Sequence, residues 1–73
     1  MSVDWEDYDD KNVESDGPVK CTRETPKALL VKVGSEEMWF PKSQLHADSE
    51  VSAEGDEGHL IISRWIAEQK DLL

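Results

Sequence analysis

The chain has 73 residues, with 17 acidic side chains against 8 basic ones and a formal net charge of -9 at pH 7. A chain of this length forms at most one small domain, and its negative charge repels nucleic-acid phosphates, which argues against direct binding of duplex DNA. Cys21 is the only cysteine, which excludes an internal disulfide and a cysteine-rich zinc site within one chain. The sequence carries no signal-peptide pattern and no apolar run of membrane-spanning length, so we expect a cytoplasmic location.

The first 17 residues form a strongly acidic segment. They hold seven carboxylates against one lysine, and Asp16-Gly17-Pro18 closes the segment. Because it has too little apolar surface to offset its ordering entropy, we expect residues 1–17 to be an acidic arm that is flexible when unbound, ahead of a single β-rich domain in residues 18–73. Trp5 and Tyr8 either pack loosely on the body of the protein or anchor a docking segment.

A β-hairpin is the clearest element of the sequence. Residues 27–33, KALLVKV, alternate in character as a strand does, and Gly34-Ser35 supplies a two-residue turn with glycine first, as a type II′ turn requires. Such a loop fixes the register, which here gives one cross-strand pair of opposite charge and three apolar pairs. The predicted pairs are Val33 with Glu36, Lys32 with Glu37, Val31 with Met38, Leu30 with Trp39, and Leu29 with Phe40.

Two weaker segments flank this hairpin. Residues 19–24 predict a first strand, and Pro41 ends the second hairpin strand because proline has no N–H for a ladder hydrogen bond. Residues 47–58 form a polar connection, in which Val51 is a candidate start of a short strand. The acids and glycines of this connection do not have the spacing of an EF-hand calcium loop, so we expect no metal ion there.

The end of the chain predicts a strand followed by a helix. Residues 59–62 read as the strand, and Ser63 as the N-cap of a helix that runs to about Lys70. One side of that helix is predicted to carry Trp65, Ile66 and Gln69. The predicted fold class is therefore α+β, with a small antiparallel sheet or a partly open barrel of OB or SH3 type, one C-terminal helix and an acidic N-terminal arm.

Three motifs resemble a recurring group of small phage and prophage-type proteins. They are the strand with Lys27-Ala28 and Leu30-Val31, the segment WFPKSQL at residues 39–45, and Trp65 with Ala67 near the end of the chain. In that group a KA-LV strand precedes a W-(I/V/F)-P-K-S segment, and a W-x-A helix ends the chain. The resemblance spans residues 22–73 without the acidic arm. It implies a mobile-element protein of the bacterial cytoplasm, and it carries over no catalytic residue.

The sequence does not indicate an enzyme. Ser43 and His46 stand close together, but a serine or cysteine nucleophile also needs an orienting acid and an oxyanion hole held on the same small body. The glycines lack the spacing of a phosphate-binding loop. We therefore expect no catalytic residue, no cofactor and no metal ion.

Non-enzymatic functions remain. The first is an inhibitor or adaptor of a host protein, of anti-CRISPR or anti-defence type, whose carboxylates imitate nucleic acid toward a basic partner surface. Its predicted contact residues are Asp4, Trp5, Glu6, Asp7, Tyr8, Asp9, Asp10, Glu54, Asp56 and Glu57. The second is an OB- or SH3-like module that binds single-stranded nucleic acid or a peptide through Lys32, Trp39 and Lys42. A homodimer through an uncovered strand edge is a third.

Overall fold

The computed structural model describes residues 3–73 and places them in two antiparallel sheets and one short α-helix. Strands β1 to β7 span Trp5–Asp7, Asn12–Ser15, Val19–Glu24, Ala28–Val33, Glu36–Pro41, Glu57–Gly58 and Ile61–Ser63. A 3-10 helix covers Lys42–Gln44, and helix α1 covers Arg64–Gln69. The strand order is β1-β2-β7 in one sheet and β5-β4-β3-β6 in the other. The predicted α+β class with an antiparallel sheet is confirmed, whereas the sheets of residues 3–73 do not close into an OB- or SH3-like barrel.

The hairpin formed by β4 and β5 has the predicted register. All of its predicted cross-strand pairs occur, and a further pair joins Ala28 to Pro41. Leu29 and Phe40 are fully buried, as the apolar face of the hairpin requires. Gly34 has a φ of 64°, whereas the φ of Ser35 is not positive, and this combination agrees with the type II′ turn. The register is fixed because a slip of one residue would turn the apolar face toward solvent.

Strand β3 departs from simple alternation. Cys21 pairs with Val31 and Arg23 pairs with Leu30, so Thr22 is an extra residue that forms a β-bulge. Regular alternation would place Arg23 on the same face as Cys21, but the bulge turns its side chain to the exposed face. The Thr22 hydroxyl donates to the Glu37 carboxylate at 2.7 Å and lies 3.3 Å from the Leu30 carbonyl oxygen.

The acidic N-terminal segment is an integral part of the fold. Strand β1 pairs with β2, and β2 pairs with β7, so the segment shares a sheet with the last strand. Val13 is fully buried, and Trp5 packs against the core. This arrangement differs from the expected flexible arm and from a domain that starts at residue 18. A few apolar side chains at strand spacing suffice to bury the hairpin against β7, while Glu6 and Glu14 lie on the opposite side.

Helix α1 begins as predicted but faces the core with different residues. The Ser63 hydroxyl accepts a hydrogen bond from the Ile66 N–H, which is the expected N-cap. Ile66 and Ala67 are buried, whereas Trp65 is 58% exposed and Gln69 is exposed. The side predicted to carry Trp65, Ile66 and Gln69 is therefore buried only at Ile66. A helix of six residues has too few turns for its sequence to define one face, and no helix within residues 3–73 is long and apolar enough to cross a membrane.

One hydrophobic core lies between the two sheets. Val51 belongs to it although the polar connection around Val51 forms no strand. Ser15 is the one fully buried polar side chain of the described residues, and its hydroxyl accepts from the Leu60 N–H at 2.9 Å. This bond satisfies a buried donor and joins β2 to the segment before β7. The core consists of Val13, Val19, Cys21, Leu29, Val31, Val33, Phe40, Val51, Leu60, Ile62, Ile66 and Ala67.

Val13→Ala tests whether the acidic hairpin is part of the core. The substitution removes two buried methyl groups and leaves a cavity beside Ile62, so we expect the free energy of unfolding to fall by about 2 kcal/mol. Urea denaturation followed by tryptophan fluorescence measures it. Lys11→Ala is the control in the same hairpin, because Lys11 is exposed, and should change the free energy by less than about 0.5 kcal/mol. Equal, small effects of both changes would contradict this packing.

Candidate partner-binding face

The turn between β1 and β2 is built around Asp9. Its Oδ1 atom accepts hydrogen bonds from the backbone N–H groups of Lys11 and Asn12, both at 2.8 Å. The Asn12 amide adds a third bond at 2.9 Å. These bonds, the Lys11 N–H foremost, hold the pKa of Asp9 below its usual value. Asp9 therefore stays ionised and shapes the turn, as aspartate commonly does two or three residues before the groups that it accepts from.

Tyr8 ties this turn to the segment that follows the 3-10 helix. Its hydroxyl donates to the Asp48 carboxylate at 2.5 Å, and its ring meets the edge of the His46 ring at a centroid distance of 4.9 Å. The hydrogen bond to Asp48 is the main reason that the pKa of Tyr8 is raised, because ionisation would break the bond and put two negative charges side by side. Tyr8 is 40% exposed, so part of its ring stays open to solvent while the rest packs in this contact.

Arg64 ties the same hairpin to the start of α1. Its guanidinium pairs with the Asp7 carboxylate, and its backbone N–H donates to the Lys11 carbonyl oxygen at 2.8 Å. The Asp7 carboxylate raises the pKa of Arg64. The pair lies at the surface, so it contributes little stability by itself. The pair instead fixes the position of β1 relative to helix α1. Trp65, the residue after Arg64, therefore lies where the hairpin meets the helix.

Trp65 is the most exposed large apolar side chain of residues 3–73, with 58% of its surface accessible. It lines a shallow cleft of about 390 Å³ together with Asp10, Lys11, Ser63, Arg64 and Glu68. A second hollow of about 400 Å³ adjoins it along residues 9–12. The exposed indole and the hairpin carboxylates thus share one surface. We call this surface the acidic face and define it by Asp7, Asp9, Asp10, Trp65 and Glu68.

The remaining predicted residues of the acidic segment lie elsewhere. Trp5 is half-buried against the core, and its indole Nε1 is buried without a hydrogen-bond partner among the described residues, so it is not an exposed anchor. Asp4 is exposed. Glu6 is exposed and lies directly opposite Glu14 in the β1–β2 pair. Like charges in that position repel each other and weaken the pairing.

The predicted second acidic patch belongs to the other sheet. Asp56 accepts hydrogen bonds from the N–H groups of Ser52 and Ala53, both at 3.0 Å, and the Ser52 bond is the main cause of its lowered pKa. It therefore shapes its own loop. Glu54 and Glu57 are exposed near β3, and no hydrogen bond or ion pair of residues 3–73 connects them to the acidic face. The carboxylates of residues 54–57 and the acidic face therefore do not form one site.

The predicted alternative ligand face is only partly available. Trp39 is 43% exposed on the outer side of the four-stranded sheet, and Lys32 is exposed on the same side. Lys42 is instead engaged, since its Nζ atom lies 2.5 Å from the Glu24 carboxylate and lowers the pKa of Glu24. Trp39 and Lys32 thus share a surface, and Lys42 is committed to an ion pair at its rim.

The sequence did not indicate Trp65, Arg64 or Glu68 as site residues. Their place depends on the contact between the first hairpin and the last helix, which joins residues more than fifty positions apart, such as Asp7 and Arg64. A local pattern carries no signal for such a contact. The W-x-A motif implied a helix at this place but gave no indication that Trp65 is exposed.

The chain was compared with known proteins once this geometry was established. No protein-family model, no curated protein and no solved structure matches it. The resemblance to phage-type proteins therefore stays a prediction. Within residues 3–73, no group of three or more His, Cys, Asp or Glu side chains is arranged to hold a metal ion.

The contact between Tyr8 and Asp48 can be measured directly, because Tyr8 is the only tyrosine of the chain. An alkaline titration followed by phenolate absorbance should give a pKa above the ordinary value of about 10. Asp48→Ala should return the pKa toward that value, whereas Asp10→Ala should leave it nearly unchanged. Since the folded-state pKa is raised, the stabilisation is present below the ordinary pKa and is lost as the pH rises through the raised one. A wild-type pKa equal to that of Asp48→Ala would contradict the contact.

Proposed function

We propose that the protein is a non-enzymatic binding protein that uses its acidic face to engage a basic surface of another protein. The observation that carries this proposal is the exposure of the Trp65 indole in a cleft that the carboxylates of Asp10 and Glu68 line together with Lys11 and Arg64. A tryptophan at the centre of a contact surface commonly supplies much of the binding energy, and charges around it select the partner. The expected partner offers an apolar pocket surrounded by lysines and arginines.

The distribution of charge supports this assignment. Residues 18–46 carry five lysines and arginines against three carboxylates, whereas residues 1–17 carry seven carboxylates against one lysine, and residues 47–73 carry seven against two cations. The excess negative charge therefore belongs to the hairpin β1–β2, the polar connection and the helix. A field of this kind accelerates the approach of a basic partner and weakens as salt is added.

Rigid placement of the carboxylates supports nucleic-acid mimicry as the mode of binding. The hairpin is held at one side by the pair of Asp7 with Arg64 and at the other by the bond of Tyr8 to Asp48. Carboxylates that are already in place lose less entropy on binding than those of a flexible arm. With the resemblance to phage-type proteins, this suggests an anti-defence or anti-CRISPR role against a host protein with a nucleic-acid-binding surface, in the bacterial cytoplasm.

Cys21 and Ser43 are poorly placed to act as nucleophiles. Cys21 is fully buried, and burial raises the pKa of its thiol, which makes it a poor nucleophile at neutral pH. Ser43 is exposed, and no hydrogen bond of the described residues joins it to His46. The His46 ring instead lies among Tyr8, Asp9 and Asp48.

A second candidate function uses the outer side of the four-stranded sheet. Trp39 is exposed there beside Lys32, within the part of the chain where basic residues outnumber acidic ones. A base or a peptide side chain could stack on the indole while Lys32 contacts an anionic backbone. The surrounding negative charge of the protein weakens this interaction, which is why the acidic face is preferred.

Matched tryptophan and charge variants separate these functions. The wild-type protein is used to capture its partner from a bacterial host lysate, and the partner is then purified for titration at several salt concentrations. We expect Trp65→Ala to weaken the complex by about thirtyfold, because the indole is a central anchor. We expect Asp10→Lys with Glu68→Lys to slow association and flatten its salt dependence.

The controls place the same chemical changes on the other sheet. Trp39→Ala removes an exposed tryptophan, and Glu54→Lys with Glu57→Lys reverses two exposed carboxylates. These variants should bind the partner almost as well as the wild type. If the control variants lose the partner while Trp65→Ala keeps it, the acidic face is not the contact surface. Loss of oligothymidylate binding in Trp39→Ala alone would establish the second function instead.

A further inference from the structure

Strand β5 forms the one long open edge among the strands of residues 3–73. It has six residues and lies at the end of the four-stranded sheet. The opposite end of that sheet is β6, with two residues, and the open end of the other sheet is β1, with three. The free side of β7 is taken by a bridge between Leu45 and Ile62. Short or covered edges resist pairing with another chain, whereas a long one invites it.

The backbone of this edge has unused hydrogen-bonding groups. Because the two-residue turn pairs Val33 with Glu36, alternate residues of β5 direct their N–H and C=O groups toward β4, and those of Glu37 and Trp39 point away. Apart from the strand ladder, no backbone hydrogen bond of residues 3–73 reaches Glu37 or Trp39. The edge ends at Pro41, which has no N–H, and the chain then turns inward through a bond from Lys42 N to Lys27 O at 2.8 Å.

We propose that the occupant of this edge is a second copy of the chain, paired antiparallel through β5 across a twofold axis. The homodimer then contains one continuous sheet built from both four-stranded sheets. This surface is separate from the acidic face, and the dimer goes beyond the proposed function. Antiparallel pairing of identical strands generates a closed, isologous contact.

The sequence of β5 selects one register for this pair. An axis at Glu37 would place that carboxylate against its own copy, and like charges in a direct cross-strand pair repel. An axis at Trp39 would place Glu37 opposite Pro41, which has no N–H to donate. An axis at Met38 places Glu37 of each copy opposite Trp39 of the other, so that all outward donors and acceptors of these residues are paired.

The side chains agree with the register centred on Met38. Trp39 of the two copies become diagonal neighbours on the outer side of the sheet, within reach of each other, and cover apolar surface that is now 43% exposed. The two Met38 side chains meet on the inner side, where each already packs against its own core. Glu36 of each strand lies opposite Phe40 of the other, and β5 carries two carboxylates and no cation, so the junction is negatively charged.

Salt distinguishes this contact from the proposed partner complex. Each copy carries a net charge of -9, and β5 brings two carboxylates per copy to the junction, so two copies repel each other. Added salt screens this repulsion and should strengthen the dimer. The complex with a basic partner should instead weaken with salt. Failure of one proposal therefore leaves the other unaffected.

Sedimentation velocity over a series of protein concentrations, at low and high salt, tests the dimer. We expect a reversible monomer–dimer equilibrium that shifts toward dimer with concentration and with salt. Glu37→Pro removes an outward N–H without breaking a bond to β4, and should lower the association constant about tenfold or more. Glu37→Ala keeps the N–H and should change the constant by less than about threefold. A wild-type protein that stays monomeric in all of these conditions overturns the proposal.

Disulfide trapping gives a second measurement that does not depend on tolerance of proline. In the proposed register the two Met38 positions are directly opposite, at about 4.5 Å between Cα atoms, which a disulfide can span. The positions of Glu37 and of Trp39 are diagonal to their own copies, at about 7–8 Å, which a disulfide cannot span without backbone movement. Cys21 is fully buried and stays in all variants.

Mild oxidation of the variants, each with one introduced cysteine besides Cys21, therefore has a definite expected result. Met38→Cys should form a covalent dimer rapidly, while Glu37→Cys and Trp39→Cys should not. Trp65→Cys, at an exposed position on the acidic face, measures the rate of random collision. If Met38→Cys reacts no faster than Trp65→Cys, or if Glu37→Cys or Trp39→Cys reacts fastest, the proposed pairing is wrong.

Discussion

The pairing of β2 with β7 is the interaction on which the rest of the molecule depends. It places Val13 opposite Ile62 and so converts an acidic segment of low apolar content into one strand of a sheet. Helix α1 starts directly after β7, so the same pairing brings the helix N-terminus to the Lys11 carbonyl group. Trp65 reaches the hairpin carboxylates only as a result. Without this pairing the core would lose one of its sides, and the acidic face would not exist.

Local sequence determines the central hairpin and the start of the helix, and both were predictable. A two-residue turn with Gly34 first allows one register that keeps Leu29 and Phe40 on the same face, and Ser63 is a hydroxyl residue placed directly before the helix. The β2–β7 contact could not be predicted in this way, because strands of three or four residues have almost no periodic signal. The high charge of residues 1–17 also suggested disorder, although charge on the solvent side of a strand does not oppose burial of the other side.

The carboxylates of the hairpin have different structural roles, and the amino-acid composition alone does not show which carboxylate has which role. Asp9 is held by backbone N–H groups and shapes a turn, and Asp7 is paired with Arg64. Asp10 and Glu68 border the exposed indole of Trp65 and make no ion pair within residues 3–73. Glu6 and Glu14 face each other, and neither makes an ion pair within residues 3–73, so their repulsion costs stability.

The sheet that joins β2 to β7 has a consequence for synthesis of the chain. Residues 12–15 emerge from the ribosome well before residues 61–63, with which they pair. The hairpin of β4 and β5 has a complete set of local contacts in the meantime and can form without them. The hairpin of β1 and β2 therefore lacks its β7 partner until residues 61–63 have been made. Its many carboxylates keep that waiting segment hydrated and discourage association with neighbouring nascent chains.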